Sequence, residues 1–275
     1  MDATDTEVQK PARVLVIAGS DSGGGAGIQA DIKTITMLGS YAMTAVTAIT
    51  AQDTTGVHDV WAVPIEGVVK QISHTLADIG ADCIKTGMLG CAALVEATAE
   101  NLEARARGID RVIDPVMVAT SGDRLVDDKA VDVIRTLLVP GARIVTPNAP
   151  EAEVLTGKTV ETVDGQRRAA EALLEMGAHG ALVKGGHVGH GVITDVLQTT
   201  TGEWLFEGGR INTTSTHGTG CTLASAVAAL LAQGASMPQS VERGRDYLRG
   251  ALMAAQPIGR GHGPVNHGWL LNERD

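Results

Sequence analysis

Along the chain, short and almost unbroken apolar runs alternate with longer segments in which apolar residues return every three or four positions. Residues 13–19 (RVLVIAG) are of the first kind, the pattern of a strand buried on both faces. After a polar and glycine-rich stretch, Ile28, Ile32, Ile35 and Leu38 recur at helical spacing. The opening unit is therefore strand, glycine-rich turn, helix. The same alternation predicts strands over 41–52, 59–63, 81–86, 111–117, 142–148 and 181–187. It predicts helices over 65–79, from about 90 to 107, over 163–176 and over 239–256. Residues 192–199 and 204–211 flank the turn Thr201-Gly202 and read as a hairpin, an antiparallel edge on an otherwise parallel sheet. The expected class is α/β, a mostly parallel sheet with helices on both faces. No Pro- or Ser-rich linker and no internal repeat breaks the pattern. The expected organisation is a flexible leader over 1–12 followed by one domain over 13–275.

One transition stands apart. Residues 213–221 (TTSTHGTGC) are small, hydroxyl-rich and glycine-rich, and they lead directly into the apolar segment 222–231 (TLASAVAALL). This reads as a loop feeding the N-terminus of a buried helix, where four backbone N–H groups lack intrahelical partners and the helix dipole adds about half a positive charge. Thr216 or Thr219 could serve as a simple cap. The density of glycine exceeds what a cap requires, and the first turn carries no Asp or Glu, so the N–H groups stay available to an anion. The earlier loop 20–27 (SDSGGGAG) follows neither the G-x-G-x-x-G dinucleotide pattern nor the P-loop ending in Gly-Lys-Ser/Thr. It is expected to act as a lid or as a backbone-lined substrate wall.

Composition narrows the partners. A net charge of −10 with 2% aromatic residues argues against a nucleic-acid surface, which needs basic stripes and stacking platforms. Residues 1–10 are polar and acidic, without the basic and apolar regions of a secretory signal. The longest apolar run, near 223–232, is short of the roughly 20 residues that cross a bilayer. A cytoplasmic, membrane-free location is expected. Three cysteines without C-x-x-C spacing fit a reducing compartment; Cys83 and Cys91 read as small buried residues. His187 and His190 (HVGH) have no third ligand nearby and read as loop residues rather than a metal pair.

In parallel sheets, ligands sit beyond the carboxyl ends of the strands. The polar residues at those positions are Asp21, Gln52, Lys85, Asp114, Asn148, Lys184 and the loop before residue 221. A carboxylate for a metal, lysines for phosphate oxygens and a cluster of N–H groups are what phosphoryl transfer needs.

The segments GSDSGGGAGIQADIKT, TAITAQDTTGV, KTGMLG, DPVMVATSG, VTPNAPEAEVLTG, VKGGH and THGTGCTLASA occur in this order. Together they closely resemble the hydroxymethylpyrimidine/phosphomethylpyrimidine kinases of thiamine biosynthesis, members of the ribokinase-like superfamily, over about residues 13–268. The resemblance implies a three-layer ribokinase-like fold and ATP with magnesium as cofactors. It further implies small-molecule substrates, namely hydroxymethylpyrimidine and its phosphate, and a homodimer. By position it places Gln52 on the aminopyrimidine, with Ala18, Gly19, Asp21, Met88 and Val116 around it. It puts Asp114 near magnesium and the phosphates, and Asn148, Lys184 and Thr214 on the nucleotide side. His217, counted with the cofactor-binding residues, could orient a phosphate or simply fill the loop. Gly218, Thr219 and Gly220 match the anion hole. Cys221 stands where sugar kinases of this fold carry the Asp base, and a helix N-terminus lowers a thiol's pKa, so a thiolate is a reasonable expectation. A pyridoxal kinase, or a pyrimidine-binding regulator without catalysis, is the competing reading.

Overall fold

The computed structural model describes residues 10–117, 127–186 and 191–274. Nine strands form one sheet: β1 (Arg13–Asp21), β2 (Tyr41–Gln52), β3 (Val57–Ala62), β4 (Cys83–Thr86), β5 (Asp110–Ile113), β6 (Ile144–Val145), β7 (Gly180–Val183), β8 (Val192–Thr199) and β9 (Gly202–Gly209). Their order is β3-β2-β1-β4-β5-β6-β7-β8-β9. The stretch from β2 to β7 is parallel, as continuous apolar runs predict. The hairpin read from 192–211 forms one antiparallel edge. At the other edge β3 pairs antiparallel to β2, a second antiparallel edge that the apolar pattern did not mark; the four-residue connection 53–56 is too short for a crossover. His187 and His190 lie outside the described residues.

Side chains of β1 alternate between two cores. Leu15 and Ile17 join the cluster covered by α2 (Ile65–Asp78), α3 (Ala92–Arg105), α4 (Asp128–Val133), α5 (Ala149–Thr156) and α6 (Val163–Glu175). Val14, Val16 and Ala18 face the opposite layer of α1 (Gly27–Met37), α7 (Thr219–Ala232) and α8 (Met237–Met253). These are the three layers expected. The described residues also contain a π-helical turn over Ile134–Leu138 that the apolar pattern did not mark.

Three details position the cleft. Strand order reverses between β1 and β4, the switch point at which a parallel sheet opens a crevice beyond its carboxyl ends. Helix α7 is buried all round from Thr222 to Leu231, so its N-terminus is held rigidly beneath that crevice. The segment before α7 is clamped by the tail: the His217 N–H donates to the Gly263 carbonyl at 3.0 Å, while the amides of Arg260 and Gly261 both donate to Thr54 Oγ1 at 3.2 Å.

Candidate active site

A cleft of about 710 Å³ runs across the carboxyl ends of β1, β4, β5 and β7. At its centre lies the N-terminus of α7. Gly218 is left-handed at φ 82°, and a Cβ there would collide with the Gly25 carbonyl, so only glycine fits this turn. No side chain caps the helix and its first turn holds no acidic residue; the Thr219 amide donates to the Thr216 carbonyl at 3.4 Å, which leaves the amides of Gly218, Gly220 and Cys221 at the cleft as expected of an anion site.

The first end of the cleft is a small apolar chamber. Met88 packs against Gly19 so closely that a side chain at 19 would displace its methyl group. Ala18, Gly19, Met88 and Val116 line this end, with the Gln52 amide at its rim. Gln52 Nε2 sits 3.4 Å from His217 Nε2. Asp21 lines the same end, but its carboxylate is committed: it accepts from the amides of Gly23, Gly25 and Ala26 at 2.8–2.9 Å and from His217 at 2.9 Å. Burial alone would raise its pKa; the His217 and loop hydrogen bonds more than offset this and hold it low. Asp21 thus ties down the glycine loop. His217, a candidate to orient a phosphate or to fill the loop, lies between Asp21 and Gln52, with its backbone N–H held by the Gly263 carbonyl of the tail.

The opposite end carries Asn148, Lys184, Ile193, Ile211, Leu248 and Leu252. Asn148 caps α5: its side chain accepts from the Glu151 amide while Glu151 accepts from the Asn148 amide, both at 2.8 Å. Thr214 is exposed and lies outside the cleft, whereas Thr213 and Thr216 line it; the chain bends at Thr214, whose carbonyl accepts from the Thr216 amide at 3.1 Å.

Between the ends, Lys184 Nζ approaches Asp114 Oδ1 at 3.4 Å, and Thr146 donates to the same oxygen at 3.1 Å. Asp114 Oδ2 is buried without a hydrogen-bond partner, and a Cβ on Gly220 would stand 3.9 Å from it. Glu151 is buried beside this pair. Burial, and less so the Asp114 charge, push its pKa to about 7 against the pull of Lys184. An orphaned hard oxygen next to a second carboxylate suits a magnesium ion that keeps waters and phosphate oxygens as its remaining ligands. The described residues hold no cluster of three or more His, Cys, Asp or Glu that would form an all-protein metal cage.

Two expectations are corrected here. Lys85 borders the cleft but is not a free phosphate ligand: it is wholly buried, with Nζ 3.0 and 3.3 Å from the Asp31 carboxylate. Cys221 is not a resting thiolate. Burial pushes its thiol up to about 12, ahead of the opposing pull of Lys85, so a helix N-terminus is not enough to ionise it. Of the remaining cysteines, Cys83 is buried as expected, while Cys91 is exposed at the N-terminus of α3.

Sequence reading missed Glu151 as a site residue, since N-x-x-E before a helix also reads as a capping box. Arg245 and Arg249 on α8 and Arg210 after β9 were missed too, because nothing in the pattern brings the last helix to this end of the cleft. Arg245 donates to Asp195 at 2.7 Å, and Asp195 accepts from the Gly185 amide at 2.7 Å, which fixes the backbone just after Lys184.

An open helix N-terminus between an apolar chamber and a lysine–carboxylate pair is the layout of a phosphotransferase site. The phosphomethylpyrimidine kinase family model matches residues 21–266. This chain belongs to that family. It is 47% identical to a hydroxymethylpyrimidine/phosphomethylpyrimidine kinase of Streptomyces coelicolor over 265 residues, 96% of this chain and 97% of the relative. It is 45% identical to the enzyme of the same name from Bacillus subtilis, over 93% and 94% of the two chains. Among solved structures, an ADP complex of Bacillus subtilis pyridoxal kinase superposes with a TM-score of 0.89 at 34% identity, covering 95% of this chain and 99% of that one. No helix among the described residues is long and apolar enough to cross a membrane.

Proposed function

We propose that residues 13–275 form one kinase domain that transfers the γ-phosphoryl group of ATP to the hydroxymethyl group of 4-amino-5-hydroxymethyl-2-methylpyrimidine, and then to the resulting monophosphate. The observation that carries this reading is the uncapped N-terminus of α7, placed between the chamber of Gly19, Gln52 and Met88 and the Lys184–Asp114 pair. The Gln52 amide can donate and accept at once, which suits a ring nitrogen beside an exocyclic amine. The apolar wall of Ala18, Met88 and Val116 covers the ring faces. ATP enters from the end lined by Asn148, Ile193, Leu248 and Leu252, so that its terminal phosphate meets the α7 amides and Lys184.

The residues present fit magnesium: Asp114 would hold it through Oδ2, with Glu151 as the second carboxylate. Bound there, it would neutralise phosphate charge. The chain's own groups do the rest. The α7 amides stabilise the charge that develops on the transferring phosphoryl group, and their fixed orientation means that little reorganisation is needed. Cys221, a neutral thiol at rest, aligns the acceptor oxygen and takes part in moving its proton. Asp21 and His217 hold the glycine loop as the wall that excludes water.

A mass-resolved time course with ATP, magnesium and the hydroxymethylpyrimidine tests the reading. The monophosphate should appear first and the pyrophosphate after it; formation of neither sinks the assignment. The likeness to pyridoxal kinases favours one second reading, phosphorylation of pyridoxal, which also presents a hydroxymethyl group on a nitrogen heterocycle. The ratio of kcat/KM values for the two acceptors decides between them.

A homodimer is proposed through the outermost strand β3, where Val60 and Trp61 are exposed beside Ile49 of β2. Sedimentation of Trp61→Glu should give a monomer; an unchanged mass would place the contact elsewhere or remove it.

A further inference from the structure

The mechanism above leaves one buried charged cluster unused. Lys85 on β4 and Asp31 on α1 are both fully buried, and their pairing joins elements 54 residues apart in sequence. Asp31 Oδ1 also accepts from Ser225 Oγ at 2.6 Å. Ser225 lies one helical turn beyond Cys221 on α7, so the two share a face of that helix. A Cβ on Gly87 would stand 3.0 Å from Lys85 Nζ, which places the ammonium directly behind the cleft wall that Gly87, Ala18 and Cys221 share. A buried ion pair of this kind adds little net stability over an apolar core, so packing alone does not account for it.

We propose that Lys85 is the positioning residue for Cys221, its buried ammonium being the positive charge that the Cys221 sulfur faces and that governs the reactivity of this thiol. Asp31 and Ser225 hold the ammonium in place beneath the first turn of α7. The charged groups around the sulfur come from four elements: Lys85 on β4, Lys184 after β7, Asp31 on α1 and Asp114 after β5. Burial and the two carboxylates oppose ionisation of the thiol, whereas Lys85 is its strongest counterweight and the Gly27 amide a smaller one. Reciprocally, burial would strip Lys85 of its proton; Asp31 first, then Asp114, keep it charged while the thiol is neutral. In the transfer step, the acceptor oxygen forms its bond to the γ-phosphorus as the bond from that phosphorus to the leaving ADP oxygen breaks, and the acceptor's proton passes to Cys221 in its thiolate form. A fixed ammonium behind the sulfur raises the fraction of thiolate available for that step.

The inference rests on the proposed kinase reading for its role in turnover, yet its test does not need a substrate. The three cysteines report separately. Cys91 is exposed and gives the intrinsic alkylation rate, Cys83 is wholly buried and reports loosening of the core, and Cys221 is the target. Iodoacetamide labelling from pH 7 to 10, resolved by peptide mass, is measured on the full chain and on Lys85→Met. It is repeated on Lys85→Met with Asp31→Asn, which avoids leaving a bare buried carboxylate. Both variants should label Cys221 about 10-fold more slowly relative to Cys91, equivalent to one pKa unit, with Cys83 unchanged. In the double variant kcat for the pyrimidine should fall while its KM stays within about 2-fold. Faster labelling of Cys221 together with Cys83 would show that Lys85 only holds the core closed, and an unchanged Cys221/Cys91 ratio would show no influence on the sulfur. Either result overturns the proposal. Absence of kinase products in the wild type would sink the function reading and leave the labelling result standing.

Discussion

Two helix N-termini face the same cleft and are finished in opposite ways. Helix α5 is closed by its own side chains: Asn148 and Glu151 exchange hydrogen bonds in a capping box, and Pro150 removes one further donor. Helix α7 is left open, with a left-handed glycine at its N-cap, no capping side chain and no acidic residue in its first turn. The sequence spends its capping chemistry where stability is wanted and withholds it where a ligand must supply the acceptors. The open end is the one supported by a continuously buried helix, so the missing cap is offset by packing rather than by local hydrogen bonds.

The largest effect should come from closing off the turn that opens α7. Gly218→Ala places a Cβ against the Gly25 carbonyl at a backbone conformation that costs an L residue about 1–2 kcal/mol. Turnover should fall by at least about 10²-fold, as for loss of oxyanion donors, with a lower melting temperature. Next is the exchange that makes α7 resemble α5. Thr219→Asp supplies an internal anion, so it should raise stability by about 0.3–1 kcal/mol while lowering kcat/KM for ATP by about 10²-fold. Kinetics and melting are then expected to move in opposite directions; a parallel loss would mean that the open end is not a ligand site.

Breaking the closed end is milder. Asn148→Ala should cost about 1 kcal/mol of stability and raise the KM for ATP several-fold, with kcat little changed. The smallest effect is protonic. Glu151 in the folded chain has its pKa raised to about 7, above its unfolded value near 4.3. Its contribution to stability is therefore fully present below the unfolded value and is lost as pH rises through 7. If magnesium and nucleotide bind beside it, they should expel this proton. Calorimetry of Mg-ADP binding at pH 7 in buffers of different ionisation enthalpy should show proton release, and Glu151→Gln should abolish it.

Much of the architecture was legible because a parallel sheet writes itself as apolar runs and amphipathic spacers, and the hairpin at 192–211 follows from its turn. The open α7 terminus was legible because Gly218 and Gly220 and the absence of acid in the first turn are local features. What escaped was decided over distance. Lys85 at a strand end looked like a phosphate ligand, but its partner Asp31 comes from another element, and their mutual burial is a tertiary fact. Cys221 looked like a helix-terminus thiolate, yet desolvation by the surrounding layers outweighs the helix end. His217 pairs with Asp21, and its backbone N–H is held by a tail contact 46 residues downstream, at Gly263. Glu151 was missed, since N-x-x-E before a helix reads as a capping box and its burial beside Asp114 and Lys184 is a tertiary fact.

The most direct test of the central claim is a crystal structure of the chain with ADP, magnesium, aluminium fluoride and the hydroxymethylpyrimidine. The account predicts the fluoride complex within hydrogen-bonding distance of the Gly220 and Cys221 amides, between Lys184 and the pyrimidine hydroxymethyl group, with the α5 terminus still closed by Asn148 and Glu151. A fluoride complex seated away from the α7 amides, or bound at the α5 terminus in place of its capping box, would contradict it.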